Sequence, residues 1–215
     1  MKDKKSKIEI PKGITSEEFF MRFVPETYNK NVREYDMSGY KGFTLTAQIN
    51  ITGTDGGEYG INMTDGVKVE TTKDKIKDPV LIYTFNSKHF RDAVDGEFPW
   101  IPLDMAFDPE AFQDGFTPEQ SHEEMDILDG LVGQADIRVT RGAGEVVDVR
   151  INFHGGTEPY VIFNTTQKIV EEIKEKEYTV MEAFMASKIR VDGPVEFAMH
   201  VMALAPEEEE EDGGP

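Results

Sequence analysis

Apolar and polar residues alternate strictly along 43–51, where Phe43, Leu45, Ala47, Ile49 and Ile51 are each separated by one polar residue. A period of two is typical of a β-strand that buries one face. The glycine-rich stretch 53–57 then predicts a hairpin turn, and a second alternating run follows at 59–63. The pattern therefore predicts an antiparallel hairpin.

Helical spacing occurs on both sides of this hairpin. Thr15 and Ser16 are followed by acidic residues and then by Phe19, Phe20 and Phe23, which predicts a helix start and one apolar helix face. After the hairpin, the turn at 65–66 leads into a short strand over 67–70, and a further strand is expected over 80–85. Asn86 is a suitable N-cap for a helix over 87–95. This mixture of elements predicts an α+β fold.

The segment 97–133 has a different character, because four prolines and five aromatic residues interrupt any regular period. Such a stretch is either a packed irregular connector or a lid over something apolar. Both interpretations remain open at the level of sequence.

Beyond the connector, the strand pattern of the first half returns. Residues 135–140 match 47–52 at an offset of 88, and 158–163 match 78–83 at an offset of 80. The helix expected after 166 matches the one after 86. The two offsets differ by a length change that is confined to a turn, and this predicts an internal duplication. The alternative is a chance similarity between two ordinary hairpins.

Charge and composition narrow the classes of function. The net charge is −19, and the acidic run 207–212 contributes only six of the negative charges, so the body of the chain is also acidic. Nucleic acid is therefore not an expected partner. The chain contains no cysteine and no apolar run long enough to cross a membrane, and its lysine-rich start lacks the apolar core of a signal peptide. A cytoplasmic protein is expected.

The closing segment carries the most specific pattern. Residues 180–194 read Val-Met-Glu-Ala-Phe-Met-Ala-Ser-Lys-Ile-Arg-Val-Asp-Gly-Pro, and an apolar stretch follows over 195–204. This resembles the C-terminal signature of the sterol carrier protein (lipid-transfer) domain family. Residues 14–96 resemble the N-terminal part of the same family through the helix at 16–20, the hairpin at 56–59 and the turn at 65–66.

The resemblance implies mixed or antiparallel sheets covered by helices around an apolar cavity, with a tunnel that binds fatty acyl chains, acyl-CoA, sterols or other lipids without chemistry. One family domain with a large insertion and two degenerate copies are both compatible with the sequence. Methionine and phenylalanine are concentrated after 180, and they suit an adaptable apolar cavity. The predicted ligand-binding residues are Met181, Phe184, Met185, Phe197, Met199 and Met202.

No catalytic motif is present. Four histidines are scattered without metal-binding spacing, no nucleophile elbow exists, and the glycine-rich stretches lack the strand-then-helix context of a phosphate loop. We therefore expect no enzyme activity, no cofactor and no metal. Two alternatives stay open: an accessory or regulatory subunit that docks on a partner enzyme, and an enzyme acting on hydrophobic substrates through acidic residues.

The predicted organisation has five parts. Residues 1–12 and 206–215 are expected to be disordered tails, 13–98 and 134–205 the two sterol-carrier-like halves, and 99–133 the connector.

Overall fold

A capping box fixes the first helix of the chain. The Thr15 hydroxyl accepts from the Glu18 backbone N–H at 3.1 Å, and the Glu18 carboxylate accepts from the Thr15 N–H at 3.2 Å. Helix α1 (Ser16–Glu18) continues through a π-helical turn (Phe19–Phe23) into α2 (Val24–Asn31). The computed structural model describes residues 8–96, 103–115, 117–175 and 177–205, so both predicted tails lie largely or wholly outside the described residues.

The chain divides into two compact units. The first comprises residues up to Pro79 together with Thr84–Asp114, and the second comprises Val80–Tyr83 together with the residues from Gly115 onward. The predicted connector is thus shared between the units. The domain boundaries drawn from the sequence stay a prediction.

The first unit contains an antiparallel meander. Strands β1 (Thr44–Thr52), β2 (Gly57–Thr64) and β3 (Lys68–Thr72) pair in the order β3-β2-β1, with Ala47 opposite Ile61 and Met63 opposite Val69. Strand β4 (Leu81–Asn86) is divided between the units, and its last residues continue into α3 (Ser87–Val94). The Asn86 side chain caps α3 by accepting from the Lys88 N–H at 2.7 Å, as the sequence predicted.

Aromatic rings fill the core of the first unit. Phe19 meets Phe90 edge to face at 5.5 Å, and Phe20 stacks on Tyr59 at 5.0 Å. The face predicted from the spacing of the phenylalanines therefore packs on β2 through Phe20 and on α3 through Phe19.

Part of the predicted connector belongs to this same core. Phe107 and Phe112 are only 4% and 2% exposed, and Phe112 lies 5.2 Å from the Tyr40 ring and 5.7 Å from the Phe43 ring. Phe112 is carried by α4 (Pro109–Gly115). Because these aromatic side chains are buried in the core, residues 103–113 fit the interpretation as a packed connector better than the interpretation as a lid. Residues 97–102 lie outside the described part of the chain.

The second unit begins with α5 (Pro118–Gly130) and forms a mixed sheet. Strands β5 (Gly133–Thr140), β6 (Val146–Phe153), β7 (Tyr160–Thr166) and β8 (Arg190–Asp192) lie in the order β6-β5-β7-β8. Strand β5 is antiparallel to β6 and parallel to β7, and β8 is antiparallel to β7. Helices α6 (Gln167–Lys174), α7 (Val180–Met185) and α8 (Val195–Met202) complete the unit. The α+β fold class is confirmed.

The sheet of the second unit has two chemically opposite faces, because side chains alternate along each strand. Ala135, Val139, Val147, Val149 and Phe163 are buried on one face. The other face carries mainly polar and charged residues, which pair across neighbouring strands. No helix among the described residues is long and apolar enough to cross a membrane.

Candidate functional site

Helix α7 presents apolar side chains on its outer side. A second capping box starts it: the Thr179 hydroxyl accepts from the Glu182 N–H at 3.1 Å, and the Glu182 carboxylate accepts from the Thr179 N–H at 2.8 Å. Ala183 is completely buried, and α7 packs chiefly on α6. Met181 and Phe184 are half-buried, whereas Met185 is 75% exposed.

The turn after α7 is fixed by its backbone and by one lysine. Ser187 adopts a left-handed conformation with φ of 58°, and the Lys188 N–H donates to the Ala183 carbonyl at 2.8 Å. The Lys188 ammonium group donates to the Glu172 carboxylate at 2.9 Å and lies 3.7 Å from the centroid of the Tyr178 ring. This hydrogen bond to Glu172 raises the pKa of Lys188, so the ammonium is charged throughout the neutral range.

Helix α8 is held against the apolar face of the sheet by one phenylalanine. Phe197 is 6% exposed and meets Phe153 edge to face at 6.1 Å. A Cβ at Gly133 would come within 2.6 Å of the Phe197 ring, so the glycine permits this close approach. Met202 is also buried, whereas Val195 and Met199 are 57% and 38% exposed.

The six predicted ligand-binding residues therefore fall into three groups. Phe197 and Met202 are part of the core, Met181 and Phe184 are half-buried, and Met185 and Met199 are exposed. The first three residues lie on α7, which packs on α6, and the other three lie on α8, whose Phe197 packs on Phe153 of β6. Whether the six line one cavity stays a prediction.

Val195 is an exposed apolar residue of α8 that is absent from the six predicted ligand-binding residues. Val195 lies four residues before Met199, and residues at that spacing share one face of a helix. We call Met181, Phe184 and Met185 the apolar face of α7, and Val195 and Met199 the apolar face of α8. The i, i+4 spacing of Val195 and Met199 is the sequence signal for this face.

A second cluster, also missed, lies on the polar face of the same sheet. Asp136 is 4% exposed, and its carboxylate accepts from the Arg150 guanidinium at 2.9 and 3.0 Å and from the Tyr160 hydroxyl at 2.9 Å. The Gln134 side chain donates to it at 3.1 Å. The register places Asp136 directly opposite Arg150, so the signal was an acidic residue facing an arginine across a predicted hairpin.

The electrostatics of this cluster are those of a satisfied structural ion pair. Burial acts to raise the pKa of Asp136, but the hydrogen bonds from Arg150 and Tyr160 and the charge of Arg150 outweigh it, so the pKa lies below the usual range. The carboxylate is therefore ionised at neutral pH and already has its hydrogen-bond donors. Such a group is poorly suited to act as a general acid or base.

The described residues provide no group of three or more histidine or acidic side chains arranged to hold a metal ion. His154 uses its Nε2 in a 2.9 Å contact with the Leu128 carbonyl, which fixes the turn between β6 and β7.

Comparison with known proteins finds likenesses in structure. No protein family model matches the chain, and no curated protein matches it in sequence. The chain is similar to sterol carrier protein 2 like 2 from Aedes aegypti, with 19% identity, 34% of this chain and 72% of that chain covered, and a TM-score of 0.28. It is similar to the apo form of sterol carrier protein 2 from Yarrowia lipolytica, with 13% identity, coverage of 41% and 77%, and a TM-score of 0.30.

A third likeness is to the sterol carrier protein domain 2 of Helicoverpa armigera, with 16% identity, coverage of 45% and 95%, and a TM-score of 0.30. These likenesses concern the fold.

Proposed function

We propose that the chain binds a hydrophobic small molecule on the second unit and carries it without chemical change. The observation that supports this most directly is the exposure of apolar side chains on two consecutive helices, with Met185 at 75% and Val195 at 57%. Both helices belong to the segment that resembles the closing signature of the sterol carrier protein family. We propose that such a carrier, in the cytoplasm, delivers a poorly soluble substrate to an enzyme or keeps an apolar intermediate in solution.

Covering these side chains contributes free energy to binding. Full burial of an exposed Met or Val side chain contributes roughly 1.5 to 3 kcal/mol. Met185, Val195 and Met199 are 75%, 57% and 38% exposed, so each contributes the corresponding fraction when it is covered. Methionine adapts its shape to irregular ligands because its side chain is unbranched and polarisable. The proposed ligand is held by the apolar faces of α7 and α8. The buried side chains of Phe197 and Met202 anchor α8 in the core.

The first experiment is native mass spectrometry of the purified full chain, followed by solvent extraction and identification of any bound lipid. We expect a retained species with an acyl, isoprenoid or sterol-like apolar body. A chain that is empty and also fails to bind the neutral fluorescent probe Nile red would contradict the proposal.

Two variants test the location of the site. Met185→Asp places a charge on the apolar face of α7 and is expected to weaken Nile red binding about tenfold or more. Val146→Asp is the matched control, because Val146 is 45% exposed but shares the polar face of the sheet with Asp148 and Arg150. Equal loss of binding in both variants would contradict the assignment to α7.

The alternative function is an accessory subunit that docks on a partner enzyme. Co-purification of a stoichiometric protein with a chain that holds no lipid and takes up no Nile red would favour it. Retention of lipid after separation from any such protein would favour the carrier.

A further inference from the structure

The two basic residues between α7 and α8 are already neutralised. Lys188 is paired with Glu172 at 2.9 Å, and Arg190 is paired with Asp192 at 2.8 Å. Both pairs lie at the junction that joins the apolar faces of α7 and α8 along the chain. A ligand carboxylate or phosphate arriving here would meet two cations whose charges are each already balanced by a carboxylate.

The apolar faces also carry acidic neighbours. Glu182 follows Met181, and Glu196 follows Val195, and both carboxylates are exposed. Glu182 is held in place by the capping box, since it accepts the Thr179 N–H at 2.8 Å. Each apolar face is thus accompanied by a negative charge on the same helix, within a chain of net charge −19.

One described cation nearby in sequence remains without an ion pair. Lys174 is exposed at the C-terminal end of α6, the helix on which α7 packs. Lys168, at the other end of α6, is paired with Glu172 at 3.3 Å. Within the described residues of α6, α7 and α8, the basic side chains that could still anchor an anionic ligand are therefore Lys174 and His200, which is exposed on α8.

We propose that this site selects uncharged hydrophobic ligands, such as long-chain alcohols or sterol-like molecules, over fatty acids and other anionic lipids. This rests on the proposed function and adds the chemical class of the ligand. Both classes of ligand gain the same free energy from burial of the apolar body, because this free energy depends on the buried area and not on the head group. The head group decides between them, since Glu182 and Glu196 repel an anion and the cations at the junction are paired.

The test uses two ligands that share one apolar chain. Nile red bound to the full protein is displaced by dodecanol or by dodecanoate, each below its self-association concentration, at pH 8 and low salt. We expect dodecanol to bind roughly tenfold more tightly, a ratio that falls as salt screens the repulsion. Dodecanoate binding as tightly as dodecanol would overturn the inference while leaving the carrier function standing. Failure of both ligands and of Nile red would contradict the carrier function itself.

Charge-removing variants identify the cause. Glu182→Gln combined with Glu196→Gln is expected to strengthen dodecanoate binding roughly tenfold and to leave dodecanol unchanged. Glutamine can replace glutamate in a capping box, so α7 is retained. The matched control is Asp126→Asn with Asp129→Asn, which removes the same charge from exposed positions on α5. An equal gain in the control would show a net-charge effect and overturn the local assignment.

Lys174→Gln removes a cation near the site and tests whether Lys174 anchors an anionic head group. It is expected to leave the ratio between the two ligands unchanged. Selective loss of dodecanoate binding in this variant would show that Lys174 anchors an anionic head group, and would overturn the inference.

Discussion

Arg150 holds the buried carboxylate of Asp136 through two hydrogen bonds, of 2.9 Å from Nε and 3.0 Å from a terminal nitrogen. The two residues face each other across β5 and β6, so the hairpin register and the ion pair enforce one another. Slippage by one residue would move Asp136 to the apolar face of the sheet. The pair therefore specifies the register of the sheet on which α7 and α8 depend.

Replacing Asp136 by Asn tests this role. Asp136→Asn removes the charge that Arg150 requires, and we expect a loss of about 2 to 3 kcal/mol in the free energy of unfolding. Urea denaturation monitored by circular dichroism measures it. Asp192→Asn is the control, because its pair with Arg190 is largely exposed, and a change within about 0.5 kcal/mol is expected. Equal losses in the two variants would contradict the role of Asp136.

The same pair predicts how stability depends on pH. The folded-state pKa of Asp136 lies below its unfolded value, so its stabilising contribution is complete above the unfolded pKa, near 3.9, and is lost as pH falls through the folded pKa. The difference in unfolding free energy between wild type and Asp136→Asn is therefore expected to be constant above about pH 5 and to shrink below it. A difference that grows on acidification would contradict the assignment.

Tyr160 makes a smaller contribution to the same carboxylate. Its hydroxyl donates to Asp136 at 2.9 Å, and burial followed by this hydrogen bond raises the pKa of Tyr160. Tyr160→Phe keeps the ring and removes the donor, so we expect a loss of about 1 kcal/mol. In a double-mutant cycle with Asp136→Asn the two losses are expected to be non-additive. Additive losses would show that the two residues act independently.

Much of this fold was predictable from the sequence because local patterns and tertiary packing agree. Strict alternation over 43–51 predicted β1, and Thr15 and Asn86 are caps at the positions where the sequence placed helix starts. The internal duplication stays a prediction. In the predicted repeat, β5, β6 and β7 correspond to β1, β2 and β4. Strand β5 lies between β6 and β7, just as β1 lies between β2 and β4, and this shared order supports the duplication.

The site was less predictable, since exposure depends on packing and not on residue type. Phe197 and Met185 both belong to one apolar group in the sequence, yet one is buried under Gly133 and the other is 75% exposed. Asp136 could not be identified from the sequence for a similar reason. An aspartate in an acidic chain carries no signal until the strand register shows which residue it faces.

Stability of α7 is expected to depend on Thr179, the residue that caps its N-terminus. Thr179→Ala removes the hydroxyl that accepts the Glu182 N–H, and we expect a loss of about 1 kcal/mol. Thr179→Ser retains the oxygen and is expected to recover most of it. Hydrogen exchange of the α7 amides measures the effect locally. Unchanged exchange in Thr179→Ala would show that packing on α6, and not the cap, determines the stability of α7.

The close approach of α8 to β5 provides the last prediction. Gly133 has φ of 149°, and a Cβ there would lie 2.6 Å from both the Phe197 ring and the Pro159 carbonyl oxygen. Gly133→Ala is therefore expected to displace Phe197 and to cost about 2 to 3 kcal/mol, with weaker Nile red binding because α8 loses its anchor. Gly130→Ala is the control, since a Cβ at that position meets nothing within 4 Å. Normal Nile red binding in a destabilised Gly133→Ala protein would separate the fold of α8 from ligand binding and place the site on α7 alone.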